Sequence, residues 1–222
     1  MSPLPITLIP RISVSAADRN SRLAGQTRLA HDRLSTADII TITERPATVV
    51  QLTSRRGRQP ALASLVGRRL HLNLPQPNYS VNDGTHTLIW IQPLGWLLLA
   101  PAEDSTALSA ELKSALVGIA AVVDQSHGKC ILHVSGLRAR EVLARCCRLD
   151  FHPRCFGVDC CAMTLVSHVP CVVLQADSTP SFDLIVASTS AKWLLDELKE
   201  ASRGFGSRFM PANAVAPRLA PP

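Results

Sequence analysis

Asp124, Ser126 and His127 fall within four positions of each other in the stretch DQSHGKCILHVSG. A nucleophilic triad uses these residue types: a hydroxyl to attack, an imidazole to take its proton and a carboxylate to orient the imidazole. The spacing works against that chemistry, because a triad needs three side chains converging from separately held elements. On an extended strand Asp124 and Ser126 share one face and His127 points to the other. If the chain turns here, the carboxylate and the hydroxyl serve backbone amides of the turn, and Gly128 suits a position of positive φ. The stretch is therefore expected to be architecture. With no converging acid–base set, no G-x-G-x-x-G and no Walker sequence, no catalytic and no cofactor-binding residue is assigned.

The seven cysteines all lie between Cys130 and Cys171. An odd number in a chain expected to be cytoplasmic argues against a disulfide framework. Tetrahedral zinc sites take paired ligands at C-x2-4-C spacing, whereas Cys146-Cys147 and Cys160-Cys161 are vicinal, and adjacent side chains diverge on helix or strand. His152 and Cys155 form the nearest approach to a ligand pair, and small buried side chains are the expected reading. No metal ligand is assigned.

These residues depend on the elements that carry them. ADIITITERPATVVQLTSR reads as two β-rich runs either side of Pro46, and PALASLVGRRL as a short helix with proline at its start. Strands follow, parted by Asn82-Asp83-Gly84. Asp104 or Ser105 can cap a helix with Leu108, Leu112, Ala115 and Ile119 on one side, and IAAVVDQ with KCILHVSG reads as a hairpin turning at Ser126–Gly128. In GLRAREVLARCC, the positions Ala139, Val142, Leu143 and Cys146 repeat at i, i+3, i+4 and i+7, which makes Cys146 a core residue. Three strand-like runs, CCAMTLV, CVVLQA and FDLIVAS, precede a last helix from Ser190. The expected class is α+β, in two small strand–helix lobes. Residues 1–36 are expected to be an arginine-bearing arm, 37–206 the folded domain and 207–222 a Pro/Ala-rich tail.

Composition narrows the function classes. Of the 222 residues, 46% are hydrophobic and 18% charged, which suits an ordinary soluble domain. The longest apolar run, LIWIQPLGWLLLAP, is broken by Gln92, Pro93 and Gly95, well short of the roughly 20 residues a membrane span needs. MSPLPITLIPRISVSA lacks the order of a secretory signal, so a cytoplasmic location is expected, with no membrane partner. The net charge of +6 comes largely from arginines in the first seventy residues, among them Arg11, Arg19, Arg28, Arg55 and Arg68. One tyrosine and five phenylalanines give no basic–aromatic interleaving to stack bases, so a solvated arm or an acidic protein partner is expected rather than nucleic acid.

The segment VVDQSHGKCILHVSGLRAREVLARCCRLDFHP resembles the D-x-S-H-G hairpin, the S-G helix start and the D-[LF]-H-P turn of the gamma subunit of heterotetrameric sarcosine oxidase. LPQPN, LIWIQPLGWLLLAP and FDLIVASTSAKWLLDELKEASRGFG are similar to further segments of that family, in the same order over about residues 38–206. Two sites depart: Gln92-Pro93-Leu94-Gly95-Trp96 lacks the family's two acids, and Ser188-Thr189-Ser190-Ala191 lacks its arginine and aromatic.

The resemblance implies a fold like the folate-binding part of the glycine-cleavage T-protein. It also implies alpha, beta and delta partner subunits. The cofactors FAD, FMN, NAD and tetrahydrofolate would be held on subunits other than this chain, which would stabilise the assembly. The rival expectation is a free-standing folate-dependent one-carbon transferase, which would need a placed carboxylate. Asp124 and Asp150 are the acids inside the matched motifs, and turn capping is the favoured role for both. On a wheel of about 100° per residue, Ala191, Leu194, Leu195 and Leu198 form one stripe and Trp193 lies nearly opposite. Trp193 is then either an interface anchor or covered by the C-terminal tail. With it, His127, His152 and Phe156 stand as candidate partner contacts.

Overall fold

The computed structural model describes residues 39–102 and 105–212. The chain runs β1 (Ile40–Glu44), β2 (Thr48–Ser54), α1 (Gln59–Leu70), β3 (Ser80–Asn82), β4 (Thr87–Gln92), β5 (Gly95–Ala100) and α2 (Ser105–Ala115). It continues through β6 (Ala120–Asp124), β7 (Lys129–Ser135), α3 (Ala139–Cys146), β8 (Cys161–Val166), β9 (Val169–Asp177) and β10 (Ser181–Ala187) to α4 (Ala191–Ala201) and β11 (Ser207–Met210). A short 3-10 turn, Ser188–Ser190, leads into α4.

The strands form two sheets, ordered β11-β1-β7-β10-β9-β8 and β3-β4-β5-β2-β6. Only β1 and β11 pair in parallel among the described strands; the other neighbours are antiparallel. The sheets pack face to face through Val49, Leu97, Ile131, Val172 and Ile185. α1 and α2 cover the outer face of the smaller sheet through Leu62, Val66 and Leu112, and α3 and α4 cover the larger one through Val142, Leu143, Leu194 and Leu198. Four layers result. The central strands of the two middle layers have both faces covered, so GWLLLA of β5 is buried throughout and reads as an unbroken apolar run rather than an alternating one.

The α+β class stands, and the structure corrects four local expectations. IAAVVDQ and KCILHVSG are not a hairpin: β6 pairs with β2 in one sheet and β7 with β1 and β10 in the other. The turn between them is a crossing between layers. Gly128 is not among the positive-φ residues; its smallness instead keeps it clear of Gln125, whose Oε1 would sit 3.1 Å from an added Cβ. The tail does not begin at 207, because Ser207–Met210 forms β11 and seats Phe209 in the core beside β1. Phe156 is 4% exposed and cannot be a partner contact. Its ring packs edge-on to Phe151 at 5.8 Å and lies 6.4 Å from Phe182. The arginine-bearing arm, 1–36, and the Asp104 cap lie outside the described residues. No helix among the described residues is long and apolar enough to cross a membrane.

Candidate functional site

The DQSHG stretch sits where four elements meet. Asp124 Oδ1 accepts the Ser126 amide at 2.8 Å, the Ser126 hydroxyl accepts the Val49 amide at 3.0 Å, and Gln125 donates its amide to the Val49 carbonyl at 2.7 Å. The turn that leaves β6 is thus fastened to the start of β2. Next along the chain, the Ser188 hydroxyl donates to the His127 carbonyl at 3.0 Å, and the Ser188 amide to the Gly128 carbonyl at 2.9 Å, which ties the same turn to the entry of α4. Asp124 therefore serves an amide of its own turn, as expected, whereas the Ser126 hydroxyl serves Val49 of β2, 77 residues away, and the His127 ring is left on the surface. The divergent residue Ser188 takes part in this joint.

The loop from α3 to β8 carries the second motif. Asp150 Oδ1 accepts the His152 amide at 2.9 Å, and His152 Nδ1 accepts the Arg154 amide at 3.2 Å. The His152 amide, and after it the Cys155 thiol, hold the Asp150 carboxyl below its usual range, and Asp150 in turn raises the Cys155 thiol. His152 is exposed, while Phe151 and Phe156 on either side are buried. No three His, Cys, Asp or Glu side chains gather as metal ligands among the described residues.

All seven cysteines are free. Burial pushes the Cys146 thiol to about 11 and the Cys161 thiol to about 12, and raises Cys171 further. Thiolate is the reactive form, so these three are inert near neutrality. Cys155 is the exposed cysteine. Titration of the native chain with Ellman's reagent at pH 8 is expected to show one fast thiol, abolished by Cys155→Ser, with the others at least tenfold slower until the chain is unfolded. A second fast thiol that survives Cys155→Ser would contradict this burial pattern.

Sequence reasoning missed a polar cluster on the face of the larger sheet that meets the smaller one. Asp183 of β10 is fully buried, with Arg45 at 2.7 Å and His133 Nδ1 at 2.8 Å. His133 lies directly opposite Asp183 in the sheet, and Thr43 opposite His133 on the next strand. The available sign was an acid inside FDLIVA, since a carboxylate in a doubly covered strand must find a cation. Neither Arg45 nor His133 announces itself.

The surface of α4 is as the wheel requires. Ala191, Leu194, Leu195 and Leu198 are buried and Trp193 is 61% exposed, beside Lys192, whose ammonium pairs with Asp196 at 3.0 Å. A family model described as the sarcosine oxidase, gamma subunit family matches residues 56–204. The chain belongs to the sarcosine oxidase gamma-subunit family. Among curated relatives, sarcosine oxidase subunit gamma of Corynebacterium sp. (strain P-1) is 33% identical over 144 residues, 63% of this chain and 69% of that one. The subunit gamma of an Arthrobacter sp. is 30% identical over 122 residues, 53% of this chain and 59% of that one, so the chain matches less than two thirds of this second relative.

Two solved structures share the fold. A chain of the heterotetrameric sarcosine oxidase from Corynebacterium sp. U-96, in complex with pyrrole 2-carboxylate, superimposes with a TM-score of 0.69 at 24% identity, covering 79% of this chain and 89% of that one. The glycine cleavage system aminomethyltransferase T from Bartonella henselae superimposes with a TM-score of 0.57 at 16% identity, covering 79% of this chain and 49% of that one. The fold of this chain thus recurs in about half of that aminomethyltransferase chain. The matched span contains His127, His152 and Trp193, and leaves out β1 with its neighbour Arg45.

Proposed function

We propose that this chain is a non-catalytic subunit that assembles and stabilises a heterotetrameric sarcosine oxidase. The observation that carries the proposal is family membership over residues 56–204. The alpha, beta and delta subunits would be the partners, in the cytoplasm, and FAD, FMN, NAD and tetrahydrofolate would be held there. Sarcosine would lose its N-methyl group by oxidation to give glycine, with electrons passing through flavin to oxygen. The one-carbon unit would go to tetrahydrofolate or leave as formaldehyde. Support for the passive role comes from the acids of the matched motifs: Asp124 and Asp150 accept backbone amides of their own turns. For the same reason the free-standing transferase reading is not favoured.

Trp193 is the partner anchor in this reading, because a large aromatic held outward on a rigid helix offers apolar area at low entropic cost. Trp193→Ala is expected to change the stability of the isolated chain by no more than about 0.5 kcal/mol. It should lower the yield of co-purified subunits about tenfold. Equal yields from the variant and the parent would remove Trp193 from the interface. The proposal itself is tested by affinity purification from the native host, followed by a native mass and an absorbance spectrum. A yellow stoichiometric assembly with larger flavoprotein subunits is the expected result, and a colourless monomer would overturn it.

A further inference from the structure

β8 is the edge strand of the larger sheet and pairs with β9 on one side. Its other side is closed at both ends. Cys161 donates its amide to the Asn78 carbonyl at 2.8 Å, and Ser167, just past the strand, donates to the Cys146 carbonyl at 2.7 Å. Along a strand, residues two apart direct their main-chain groups the same way. Met163 and Leu165, between Cys161 and Ser167 at steps of two, therefore direct theirs away from β9. The register agrees: Leu165 lies opposite Pro170, which has no amide to donate. Next to this gap an isolated antiparallel bridge joins Cys147 to Val166 and turns the Arg148 amide to the Leu165 carbonyl, while among the described residues no hydrogen bond outside the sheet ladders takes up the amides of Met163 and Leu165 or the Met163 carbonyl.

The side chains make this gap more unusual. Met163 is 60% exposed and Leu165 is 55% exposed, and CAMTLV contains no charge or proline to blunt the edge. Alongside runs an open cavity of about 830 Å³ between β8, the end of α3 and the β8–β9 turn. Its lining includes Arg145, Arg148 and His168 and no carboxylate. Arg145 is held, donating to the Ala201 carbonyl at 2.7 Å and lying over the Phe205 ring at 4.4 Å. Arg148 is exposed and has no hydrogen bond or ion pair to its guanidinium among the described residues.

We infer that the β8 edge receives a short extended segment of a larger subunit of the assembly as one more strand, bonded to the main chain of Met163 and the amide of Leu165, with an acidic side chain meeting Arg148. The inference rests on the subunit role proposed above and gives it a second contact, separate from Trp193. Main-chain bonds at an open edge supply affinity for any extended peptide, and the flanking pockets choose which one. Here the apolar pair and the basic wall choose a segment that alternates apolar and acidic residues. Two copies of this chain joined edge to edge would bring two basic walls together, which disfavours self-pairing.

Hydrogen–deuterium exchange over residues 161–167, compared between the purified assembly and the free chain, tests this. Exchange in the assembly is expected to be at least tenfold slower for the Met163 and Leu165 amides. In competition with the parent chain, Arg148→Glu and Leu165→Pro are each expected to enter the assembly at least fivefold less. Leu165→Pro removes an outward amide and one exposed side chain, and Arg148→Glu lies on the surface, so a folding defect in the first leaves the second decisive. An assembly that forms with unchanged exchange at 161–167 would overturn the inference and leave the subunit role standing. Failure of any larger subunit to co-purify would overturn both. Protection in the concentrated free chain that is lost on dilution would assign the edge to a second copy instead. Incorporation of Arg148→Glu equal to the parent would remove the acidic partner.

Discussion

Arg45→Met combined with His133→Phe is expected to destabilise the chain by about 3–5 kcal/mol, and adding Asp183→Leu to recover more than half of that loss. The asymmetry follows from where the charges sit. Asp183 is fully buried between the sheets, whereas the Arg45 side chain is 38% exposed and the His133 side chain 13%. Removing the two partners leaves a carboxylate in a dry site without the groups 2.7 and 2.8 Å away that offset its desolvation. Removing the carboxylate as well leaves an apolar side chain between Leu174 and the phenylalanine put in place of His133, its neighbours in the sheet. Buried ion pairs often cost about as much in desolvation as they return, so the cluster is worth little against an apolar replacement and much against a half-removed one. Urea unfolding of the parent, double and triple variants measures the difference. A double variant within about 1 kcal/mol of the parent would show that the site admits water.

Parts of this fold could be read from single segments and parts could not. The stripe Ala191, Leu194, Leu195, Leu198 needs only the helical period, and Trp193 opposite it is exposed as that period requires. Asp124 and Asp150 were legible as turn residues because their bonds reach two positions along the chain. The error about β6 and β7 has a different origin. Two apolar runs joined by a few polar residues look the same whether they pair with each other or cross between layers. What separates them is the bond of Ser126 to Val49, across 77 residues. Phe156 was misjudged for a related reason: flanked by exposed Cys155 and half-buried Gly157, it reads as a loop residue, yet the loop folds its aromatics inward. The open β8 edge was invisible for the same cause, since an edge is defined by the strand that is not beside it.

Arg140 explains that inward folding, and its loss carries the second large effect. The α3 side chain donates to the Phe151 carbonyl, to the Phe156 carbonyl at 3.1 Å and to Gln175 Oε1 at 2.9 Å, with its guanidinium 5.3 Å from the centre of the Phe182 ring. Gln175 is itself buried and donates to the Asp177 carbonyl at 3.0 Å, so the helix, the loop and β9 are locked through one planar cation. Burial lowers the Arg140 pKa from its ordinary value, but a guanidinium stays charged at neutral pH. Arg140→Met keeps the packing on Phe182 and leaves three acceptors without their donor, at about 1 kcal/mol or more each, for an expected loss of about 3 kcal/mol. Arg140→Lys should recover only part, because a single ammonium cannot span acceptors set for a fork. Arg138→Met is the control: that arginine is exposed, pairs with Glu141 and should cost well under 1 kcal/mol. Thermal unfolding measures the three, and amide exchange over 150–157 should rise in Arg140→Met before the chain melts as a whole. Because His152 is carried by this loop, the same substitution is expected to weaken assembly without altering any exposed contact. If the loop loosens and assembly stays intact, His152 is not part of the interface and the contacts lie on α4 and the β8 edge.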